Sequence, residues 1–566
     1  MEMVTTVSFE ITTYDYASPD YGKWTFPHDF HYVYILENGR DAYVGETNDI
    51  IERSKEHHRK DDWCYRFHFK RIHVITGEDI EETPAKHFEK LLIKLMRIDR
   101  RFHVINRSEG ERTFYRRKNE FELGFDRLWP QLVERGLVKH KEFQAILNKT
   151  EFKYSPQTSL TDKQIATLTN IVNAIHTSAS QKQRKAKKAR PILLEGDAGT
   201  GKTVIASSLF YHLKTNPDFN GKQVGLVFSN SATRSELRSA FKRLPGGYDK
   251  EIISPIDVTK KHYDIIICDE AHRLRRNKNL GMYITNFRSG NTRLGLDDTH
   301  DELDWLVKNS DCLVLLYDRK QIACPSDIPY DVFHQRLDIS HCGIRPVELQ
   351  DQMRIRAGND YVPYIHAVLN QKQLSALNFK NYEFKIFCSF SDMIETLDMK
   401  EKSVGLCRLC GGYAWKWIAK DSPDRPDISI DGVDVWWNRQ TGGWLRNPNA
   451  KQEMGSIYSL PGLDLNYAAV VIGPDLYYDT ESREVRVNRK HFFDNKVKRS
   501  VADDELKNYI LNTYAVLLTR GILGTYVYVH VLLGKHADTG NVVRNQTAHA
   551  GDSAVLTSMY SAMRRS

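Results

Sequence analysis

A glycine-rich turn followed by a lysine and a hydroxyl residue has the most specific chemical spacing in this chain. Gly196, Gly199 and Gly201 precede Lys202 and Thr203 within one short stretch. Glycines let backbone N–H groups approach phosphates closely, while the lysine can contact the β and γ phosphates and the threonine hydroxyl can bind Mg²⁺. The pattern predicts a P-loop that binds a nucleoside triphosphate.

An acidic pair after a second apolar stretch could supply the other half of such a site. Asp269 and Glu270 follow residues 263–268, a largely apolar run that is typical of a buried parallel strand. Asp269 is expected to hold Mg²⁺, and Glu270 to orient or deprotonate the attacking water. The alternative is an exposed acidic pair that only ends a strand.

Both groups need a strand, a loop and a helix to position them. Residues 191–195 are mainly aliphatic and predict a strand, and Lys202 is expected in the first turn of the helix that follows. A helix N-terminus attracts anions, because its free N–H groups and its dipole both favour negative charge. The sequence therefore predicts an α/β fold with a parallel sheet.

Composition excludes several classes of protein. The chain has 566 residues, a net charge of +8 and 41% hydrophobic residues, as an ordinary globular protein has. No apolar run approaches the ~20 residues of a membrane span, and the first residues lack the basic start of a signal peptide. We expect a cytoplasmic protein without a membrane partner, whose oligomeric state the sequence leaves open.

Among eight scattered cysteines, Cys407 and Cys410 lack further ligands at zinc spacing, which favours packed thiols.

Four further segments resemble the ordered motifs of superfamily 1 helicases. Asp318 and Gln321 end another apolar stretch, as in motif III, while Arg354 and Arg520 lie in stretches that resemble motifs IV and VI. Gln164 resembles the adenine-reading Q motif. The order of these segments is similar to that in the Schlafen-type helicase-like ATPases, which implies two RecA-like lobes with both arginines approaching ATP from the second lobe.

One position departs from that family. Where motif V usually has a Gln-Gly pair, this chain has Pro461 and Gly462. Coupling between ATP and a nucleic-acid strand is therefore open, and a nucleotide sensor that does not translocate is an alternative to a motor.

The N-terminal region carries a different set of reactive groups. Tyr34 and Tyr43 belong to two β-rich stretches joined at an Asn-Gly pair, which predicts a hairpin, and Gly45 ends the second stretch. Arg53 and His57 are four residues apart, so they share one face of the helix predicted next. This group resembles the GIY-YIG nuclease family, with Tyr32 in place of its opening glycine.

A carboxylate completes the set that the resemblance implies. Glu89 shares a helix face with Leu92 and Met96, where an unpaired carboxylate is costly to bury. A metal ion would remove that cost, although a buried glutamate paired with Arg or Lys is the alternative. The family implies Mg²⁺ or Mn²⁺ on Glu89, water activation by a tyrosine, Arg53 on the phosphate and His57 in proton transfer, and Asn106 matches its late asparagine.

Together these patterns predict an α/β protein in which a small α+β GIY-YIG-like nuclease domain precedes two RecA-like P-loop lobes with parallel sheets flanked by helices. We expect ATP and Mg²⁺, or Mn²⁺, as cofactors and nucleic acid as partner, with DNA favoured over RNA. The resemblance further implies an ATP-dependent nuclease in phage-related defence; a remodelling ATPase with a non-cutting N-terminal module is the other alternative. The expected parts are an N-terminal arm (1–27), the nuclease domain (28–112), a helical connector (113–158), lobe 1 (159–345) and lobe 2 (346–566).

Overall fold

A computed structural model gives the fold of the protein. The residues that it describes are 9–26, 30–77, 80–106, 118–141, 143, 160–182, 191–244, 246–337, 347–349, 351–372, 377–439, 453–460, 464–479, 482, 484–499 and 501–530. The chain divides into two compact units, residues 1–153 and 154–566. The second unit contains two large sheets, which we call lobe 1 and lobe 2 together with their helices.

A five-stranded sheet with the order β1-β4-β2-β3-β5 forms the centre of the first unit. Its strands are β1 (Phe9–Asp15), β2 (Tyr32–Glu37), β3 (Asp41–Thr47), β4 (Arg71–Gly77) and β5 (His103–Val104). Strands β2 and β3 pair antiparallel, with Tyr34 opposite Gly45. The turn between them includes Gly39, whose φ of 92° is a left-handed conformation that glycine adopts without strain. The hairpin predicted from the Asn-Gly pair is present.

Alternation along β2 places the tyrosine beside a helix. The helices of this unit that the structure describes in full are α1 (Ile50–His57), α2 (Glu82–Asp99) and α3 (Lys118–Glu134). Val33 and Ile35 pack with α2 and α3, whereas Tyr34 and Leu36 face the opposite side of the sheet, where α1 lies. Trp129 of α3 is buried in the first of these cores, so this helix of the predicted connector belongs to the first unit.

Lobe 1 has a fully parallel sheet with the order β11-β6-β10-β9-β7-β8. Its strands are β6 (Ile192–Gly196), β7 (Val224–Phe228), β8 (Ile252–Ile253), β9 (Tyr263–Asp269), β10 (Ser310–Tyr317) and β11 (Val347–Leu349). Strand β11 lies in this sheet although it follows the expected lobe boundary at residue 345. The helices are α4 (Asp162–Lys182), α5 (Lys202–Thr215), α6 (Ser231–Phe241), α7 (Pro255–Val258), α8 (Ile284–Leu294), α9 (Glu302–Lys308) and α10 (Tyr330–Leu337). Because β6, β10 and β9 are neighbours, their carboxyl ends bring the P-loop and the acidic residues to one edge.

Lobe 2 has a seven-stranded sheet with the order β12-β20-β17-β13-β16-β15-β14, in which the described pairs are parallel except β14–β15. The strands of this part of the chain are β12 (Glu383–Phe387), β13 (Cys407–Gly411), β14 (Ile428–Ile430), β15 (Val433–Trp437), β16 (Glu453–Gly455), β17 (Leu465–Ile472), β18 (Leu476–Asp479), β19 (Glu484–Val487) and β20 (Gly521–Val529), with β18 and β19 in a separate hairpin. Its helices are α11 (Tyr361–Leu369), α12 (Phe390–Val404), α13 (Asn495–Lys498) and α14 (Asp503–Leu518). The predicted class, a small mixed unit followed by parallel sheets flanked by helices, is confirmed.

The paired cysteines lie on β13 and face opposite sides of its sheet. Cys407 packs into the core beneath α12, and Cys410 packs into the core that contains α14. Burial raises the pKa of each thiol to about 12. Two protonated thiols on opposite faces cannot share a metal ion, which agrees with packed thiols. Among the described residues, no helix has both the length and the apolar character needed to cross a bilayer.

Candidate functional site

A tyrosine–histidine contact forms the centre of the first unit's candidate site. Tyr34 is 1% exposed, and its Oη lies 3.0 Å from Nε2 of His57 at the end of α1. The α1 helix is fixed at its other end by Asp49, whose side chain accepts hydrogen bonds from two backbone N–H groups of the first turn. The Tyr34 ring lies against Gly45, where a Cβ would overlap its Cζ and Oη. Glycine at position 45 is therefore necessary for this placement of the tyrosine.

Arg53 supplies positive charge to the same group. Its Nη1 donates a 2.7 Å hydrogen bond to Oε2 of Glu56 on the same helix. Burial raises the pKa values of Tyr34 and Tyr43 above their ordinary range, and the Arg53 guanidinium beside both hydroxyls opposes this shift. The arrangement brings two tyrosines, an arginine and a histidine together.

Glu89 lies on α2 in a partly buried environment. Burial, followed by the negative charge of Glu46, raises the pKa of Glu89 to about 7, while Arg53 and Lys86 oppose the shift. A divalent cation would relieve both the loss of hydration and the repulsion between the two carboxylates. The donor set fits a hard metal ion, to which Glu89 would contribute an oxygen ligand.

Asn106 has a structural place in the same unit. Its Oδ1 accepts a hydrogen bond of 3.0 Å from the backbone N–H of Val44, and its Nδ2 donates one of 2.7 Å to the Val44 carbonyl. The amide thereby binds both backbone groups of one residue of β3. It stabilises the strand that carries Tyr43 and Gly45.

The P-loop connects β6 to α5 in the predicted strand–loop–helix arrangement. Gly199 and Gly201 have φ values of 87° and 85°, which favour glycine. Nζ of Lys202 donates hydrogen bonds of 2.6 Å to the Gly196 carbonyl and 2.9 Å to the Asp197 carbonyl. The lysine therefore points into the loop at the position where a phosphate would bind.

Two carboxylates lie at the carboxyl end of β9, next to this loop. Asp269 is 1% exposed, and its Oδ2 has no hydrogen-bond partner among the described residues. Burial and the neighbouring Glu270 raise the pKa of Asp269 to about 6, whereas the hydroxyl of Thr203 and the charge of Lys202 oppose the shift. A buried carboxylate oxygen without a partner beside a threonine hydroxyl fits a Mg²⁺ site in which Thr203 and Asp269 would take part.

Glu270 has an unusual backbone conformation. Its φ of 50° lies in the left-handed region, which is costly for a residue with a side chain. Such strain is found at functional sites more often than elsewhere. This conformation ends β9 at Asp269.

Asp318 forms an ion pair with the P-loop lysine. Asp318 follows β10, and its Oδ2 lies 3.2 Å from Nζ of Lys202 and accepts a 2.7 Å hydrogen bond from Nε2 of Gln321. Burial would raise the pKa of Asp318, but the charges of Lys202 and His272 and the hydrogen bonds from Gln321 and the Lys320 N–H together outweigh it, so the pKa lies below its usual range. A cavity beside this network is lined from both lobes by Ala198, Asp318, Gln321, His366, Val516 and Thr519.

Two glutamines cover the glycines of the loop. Gln164 approaches Gly201 so closely that a Cβ there would overlap its Nε2. Gln352 lies in the same way against Gly199, and its Nε2 donates a 2.8 Å hydrogen bond to the Ala198 carbonyl. The loop is therefore in contact both with the first turn of α4 and with the segment that leads into lobe 2.

The two predicted arginine fingers have different surroundings. Nε of Arg354 lies 2.6 Å from Oδ1 of Asp464, the residue before β17, in an ion pair that is mostly buried. Arg520 is 5% exposed. Burial lowers the pKa of His272 in lobe 1 well below its ordinary value, and the positive charge of Arg520 adds a smaller contribution in the same direction. Residues 461 and 462, the departure in motif V, lie outside the described residues.

Three residues of these sites were not predicted from the sequence. Glu46 follows Gly45 directly, and its negative charge contributes to raising the pKa of Glu89. Gln352 lies two residues before Arg354 and contacts the P-loop. Asp62 contacts His57 from the loop after α1. The first two lie next to a motif residue in the sequence, which could have indicated them. Asp62 lies beyond the predicted helix, where the sequence carries no such indication.

Comparisons with known families divide the chain in the same way. Residues 190–531 match the profile described as Schlafen group 3, DNA/RNA helicase domain, which is more than half of the chain. Residues 30–101 match the GIY-YIG catalytic domain. The two matched regions contain the residues of the two candidate sites except Gln164 and Asn106.

Individual relatives are distant. The uncharacterised protein YPL245W of Saccharomyces cerevisiae is 25% identical over 405 residues, which cover 64% of this chain and 86% of that protein. The Pif1 helicase of Candida albicans matches with 12% identity and a TM-score of 0.21, over 44% of this chain and 55% of that one. The helicase nonstructural protein 10 of an arterivirus matches with 11% identity and a TM-score of 0.27, over 63% and 61%. The chain thus spans about half to three fifths of these two helicase structures.

Proposed function

The chain belongs to the Schlafen group 3 helicase family and joins this domain to a GIY-YIG catalytic domain, and from this premise we propose that it is an ATP-dependent nuclease that processes nucleic acid. The observation that carries the proposal is the group of Tyr34, Arg53 and His57 near the partly buried Glu89. These residues offer a proton acceptor, a cation for a phosphate and a metal ligand. The P-loop with Asp269 adds the parts needed to hydrolyse a nucleoside triphosphate.

The residues of the first unit divide the work of phosphodiester hydrolysis. Tyr34 takes a proton from the attacking water and passes its own hydroxyl proton to Nε2 of His57. Arg53 neutralises the charge that develops on the phosphate. Glu89 would hold Mg²⁺ or Mn²⁺, which polarises a phosphoryl oxygen when bound.

The residues of the second unit divide the work of ATP hydrolysis. Lys202 exchanges its backbone carbonyl partners for the β and γ phosphates, and Glu270 orients the water. Thr203 and Asp269 would hold Mg²⁺, which neutralises phosphate charge. Gln164 contacts the base, Gln321 senses the γ-phosphate, and Arg354 and Arg520 stabilise the transferred phosphoryl group; these roles are proposals from the motifs.

A regulated nuclease without translocation is the second candidate. The contact of Gln352 with the P-loop and the ion pair of the nearby Arg354 with Asp464 supply a short path from the nucleotide to lobe 2. Such a path serves a switch as well as a motor. Stimulation of ATP hydrolysis by nucleic acid separates the two candidates, because a motor requires strong stimulation and a sensor does not.

Separate substitutions in the two sites test the main proposal, with cutting and ATP hydrolysis measured for each variant. The substrates are 5′-labelled single- and double-stranded DNA and RNA, incubated with Mg²⁺ or Mn²⁺, with and without ATP. We expect cutting of DNA in preference to RNA, loss of cutting with Glu89→Ala, and loss of ATP hydrolysis and of ATP-dependent cutting with Lys202→Ala.

Two exposed residues provide matched controls. Glu82→Ala lies on the same helix as Glu89 and pairs with Lys86 at the surface. Lys222→Ala lies in lobe 1, away from the P-loop, where it pairs with Asp264. Both controls should keep wild-type rates; cutting that persists in Glu89→Ala contradicts the nuclease proposal, and ATP turnover that persists in Lys202→Ala contradicts the ATPase proposal.

A further inference from the structure

A carboxylate that is not among the site residues predicted from the sequence contacts the histidine of the nuclease site. Oδ2 of Asp62 is 3.3 Å from Nδ1 of His57, on the side of the ring opposite to Tyr34. The His57 side chain is 1% exposed, and that of Asp62 is 20% exposed. The contact is therefore largely shielded from water, where a hydrogen bond to a charged group is stronger than at the surface.

The loop fixes the Asp62 carboxylate in place. Its Oδ1 accepts a 2.7 Å hydrogen bond from the backbone N–H of Cys64. Its own backbone N–H donates to the Arg59 carbonyl, and its carbonyl accepts from the N–H of Tyr65. One oxygen is thus held by the loop, and the other is directed at His57.

This arrangement decides which ring nitrogen carries the proton. An ionised carboxylate only accepts hydrogen bonds, so Nδ1 of His57 must be the protonated nitrogen. In the neutral ring, Nε2 then has a free lone pair and accepts the hydroxyl proton of Tyr34. The opposite tautomer would place an N–H against Tyr34 and prevent the transfer.

We infer that Asp62 is a positioning residue of the nuclease site, which holds His57 in the tautomer that accepts the Tyr34 proton. The inference rests on the proposed nuclease function. In the step, the water oxygen forms a bond to phosphorus, and the P–O bond to the leaving oxygen breaks with its electron pair staying on that oxygen. An O–H bond of the water breaks and its proton goes to Tyr34 Oη, while the Tyr34 O–H bond breaks and that proton goes to His57 Nε2. Asp62 stabilises the resulting imidazolium by its negative charge.

A metal ion is a poorer occupant of the same group. Ligand atoms of His57, Asp62 and Cys64 lie within 4.8 Å of one another. Burial and the charge of Asp62, however, raise the pKa of the Cys64 thiol to about 12. A metal would require the thiolate, and it would displace the hydrogen bond between Asp62 and the His57 ring.

The charges around His57 determine the direction of a pH effect. Burial and the positive charge of Arg53 lower its pKa, while Asp62 and Glu56 oppose this. The titratable groups that face the ring from the surrounding elements are Tyr34 on β2, Tyr43 on β3, Arg53 and Glu56 on α1, and Asp62 and Cys64 in the following loop. Removal of the Asp62 charge therefore lowers the pKa of His57, and the acidic limb of the cutting rate moves to lower pH.

The test compares Asp62→Asn with wild type in the intact chain, on the labelled DNA and RNA substrates described above. Asn can keep the acceptor for Cys64 N–H through its Oδ1, while its amide NH₂ donates to Nδ1 of His57 and reverses the tautomer. We expect the rate constant of cutting to fall about 10²-fold, with unchanged nucleic-acid affinity, unchanged ATP hydrolysis and an acidic limb at lower pH. Asp62→Glu, which keeps the carboxylate, should restore part of the rate.

Asp61→Asn is the matched control, because Asp61 is the exposed neighbour in the same loop. A wild-type rate in Asp62→Asn, or a loss of rate without movement of the acidic limb, overturns the inference while Glu89→Ala still tests the nuclease itself. A stoichiometric Zn²⁺ that is present in wild type and absent from Asp62→Asn also overturns it, since Nδ1 would then be a metal ligand.

Discussion

The first unit and lobe 1 each contain a carboxylate whose ionised form is disfavoured, but the polar groups of the two sites are arranged differently. Each has a buried or partly buried carboxylate with a raised pKa, about 7 for Glu89 and about 6 for Asp269. In the first unit the hydrogen bond between Tyr34 and His57 is already formed. In lobe 1, Lys202 is bound to backbone carbonyls and Asp318, so it must change partners before it can contact a phosphate.

This difference separates a preorganised site from a switch. Preorganised groups stabilise a transition state without a cost of rearrangement at the moment of reaction. A lysine that exchanges partners couples nucleotide binding to the position of Asp318, and hence to the cavity between the lobes. We therefore expect substitutions in the first unit to change the rate of cutting, and substitutions in lobe 1 to change the response to ATP.

The largest effect is expected at Asp269. Asp269→Asn keeps the shape of the side chain but removes the charge that would hold Mg²⁺, so ATP hydrolysis should fall at least about 10²-fold. Steady-state phosphate release measures the change, and cutting in the absence of ATP should stay as in wild type. Asp298→Asn, an exposed carboxylate of the same lobe, should have no effect. Full turnover in Asp269→Asn would show that the acid pair only ends a strand.

Tyr34 is expected to have the next largest effect. Tyr34→Phe removes the hydroxyl that contacts His57 and should lower the rate constant of cutting about 10²-fold. Tyr43 contacts His57 only through its ring, in an edge arrangement with centroids 5.5 Å apart, so Tyr43→Phe should lower the rate less. Single-turnover cleavage distinguishes the two, with the exposed Tyr65→Phe as control. Equal losses in both variants would contradict the separate roles.

A smaller effect is expected at Gly45. Gly45→Ala places a Cβ where it overlaps the Tyr34 ring, so the ring must move and its bond to His57 lengthens. We expect a loss of roughly tenfold in cutting, with a destabilisation of about 1–3 kcal/mol that is typical of overpacking. Cleavage rates and thermal unfolding measure both. Gly22→Ala, whose Cβ would lie 3.4 Å from Asp20, should change neither, and a wild-type rate in Gly45→Ala would mean that the tyrosine need not be held in place.

The hairpin and the P-loop could be predicted from local sequence because local chemistry determines them. An Asn-Gly pair favours the turn, and the glycines before Lys202 have the left-handed φ values that glycine allows. Alternation along β2 also places Tyr34 on the face that α1 covers.

Contacts between distant segments could not be predicted in the same way. Asp464 pairs with Arg354 across the interior of the second unit, and Gln352 reaches the P-loop from a segment more than a hundred residues later in the chain. Glu46 raises the pKa of Glu89 only because β3 and α2 are packed together. Such pairs depend on how whole helices and strands pack together, which a short sequence pattern does not determine.

The smallest effect is expected at a buried carboxylate that belongs to neither site. Asp475 is fully buried in lobe 2, its Oδ1 accepts a 2.7 Å hydrogen bond from Tyr514, and its Oδ2 has no hydrogen-bond partner among the described residues. Burial raises the pKa of Asp475 to about 7, although the hydrogen bond from Tyr514 opposes the shift. Because the folded pKa exceeds that of the unfolded chain, its contribution to stability is complete below about pH 4 and is lost as the pH rises through about 7.

Asp475→Asn is neutral at every pH and should therefore raise the melting temperature at pH 8, by about 1 °C for each kcal/mol of stabilisation in a unit of this size, and not at pH 5. Thermal unfolding at the two pH values measures the change, with the exposed Asp421→Asn as control. Both activities should remain, because Asp475 has neither the neighbouring carboxylate of Glu89 nor the threonine and lysine beside Asp269. Loss of either activity in Asp475→Asn would show that a raised carboxylate pKa in this protein marks a site even without those neighbours.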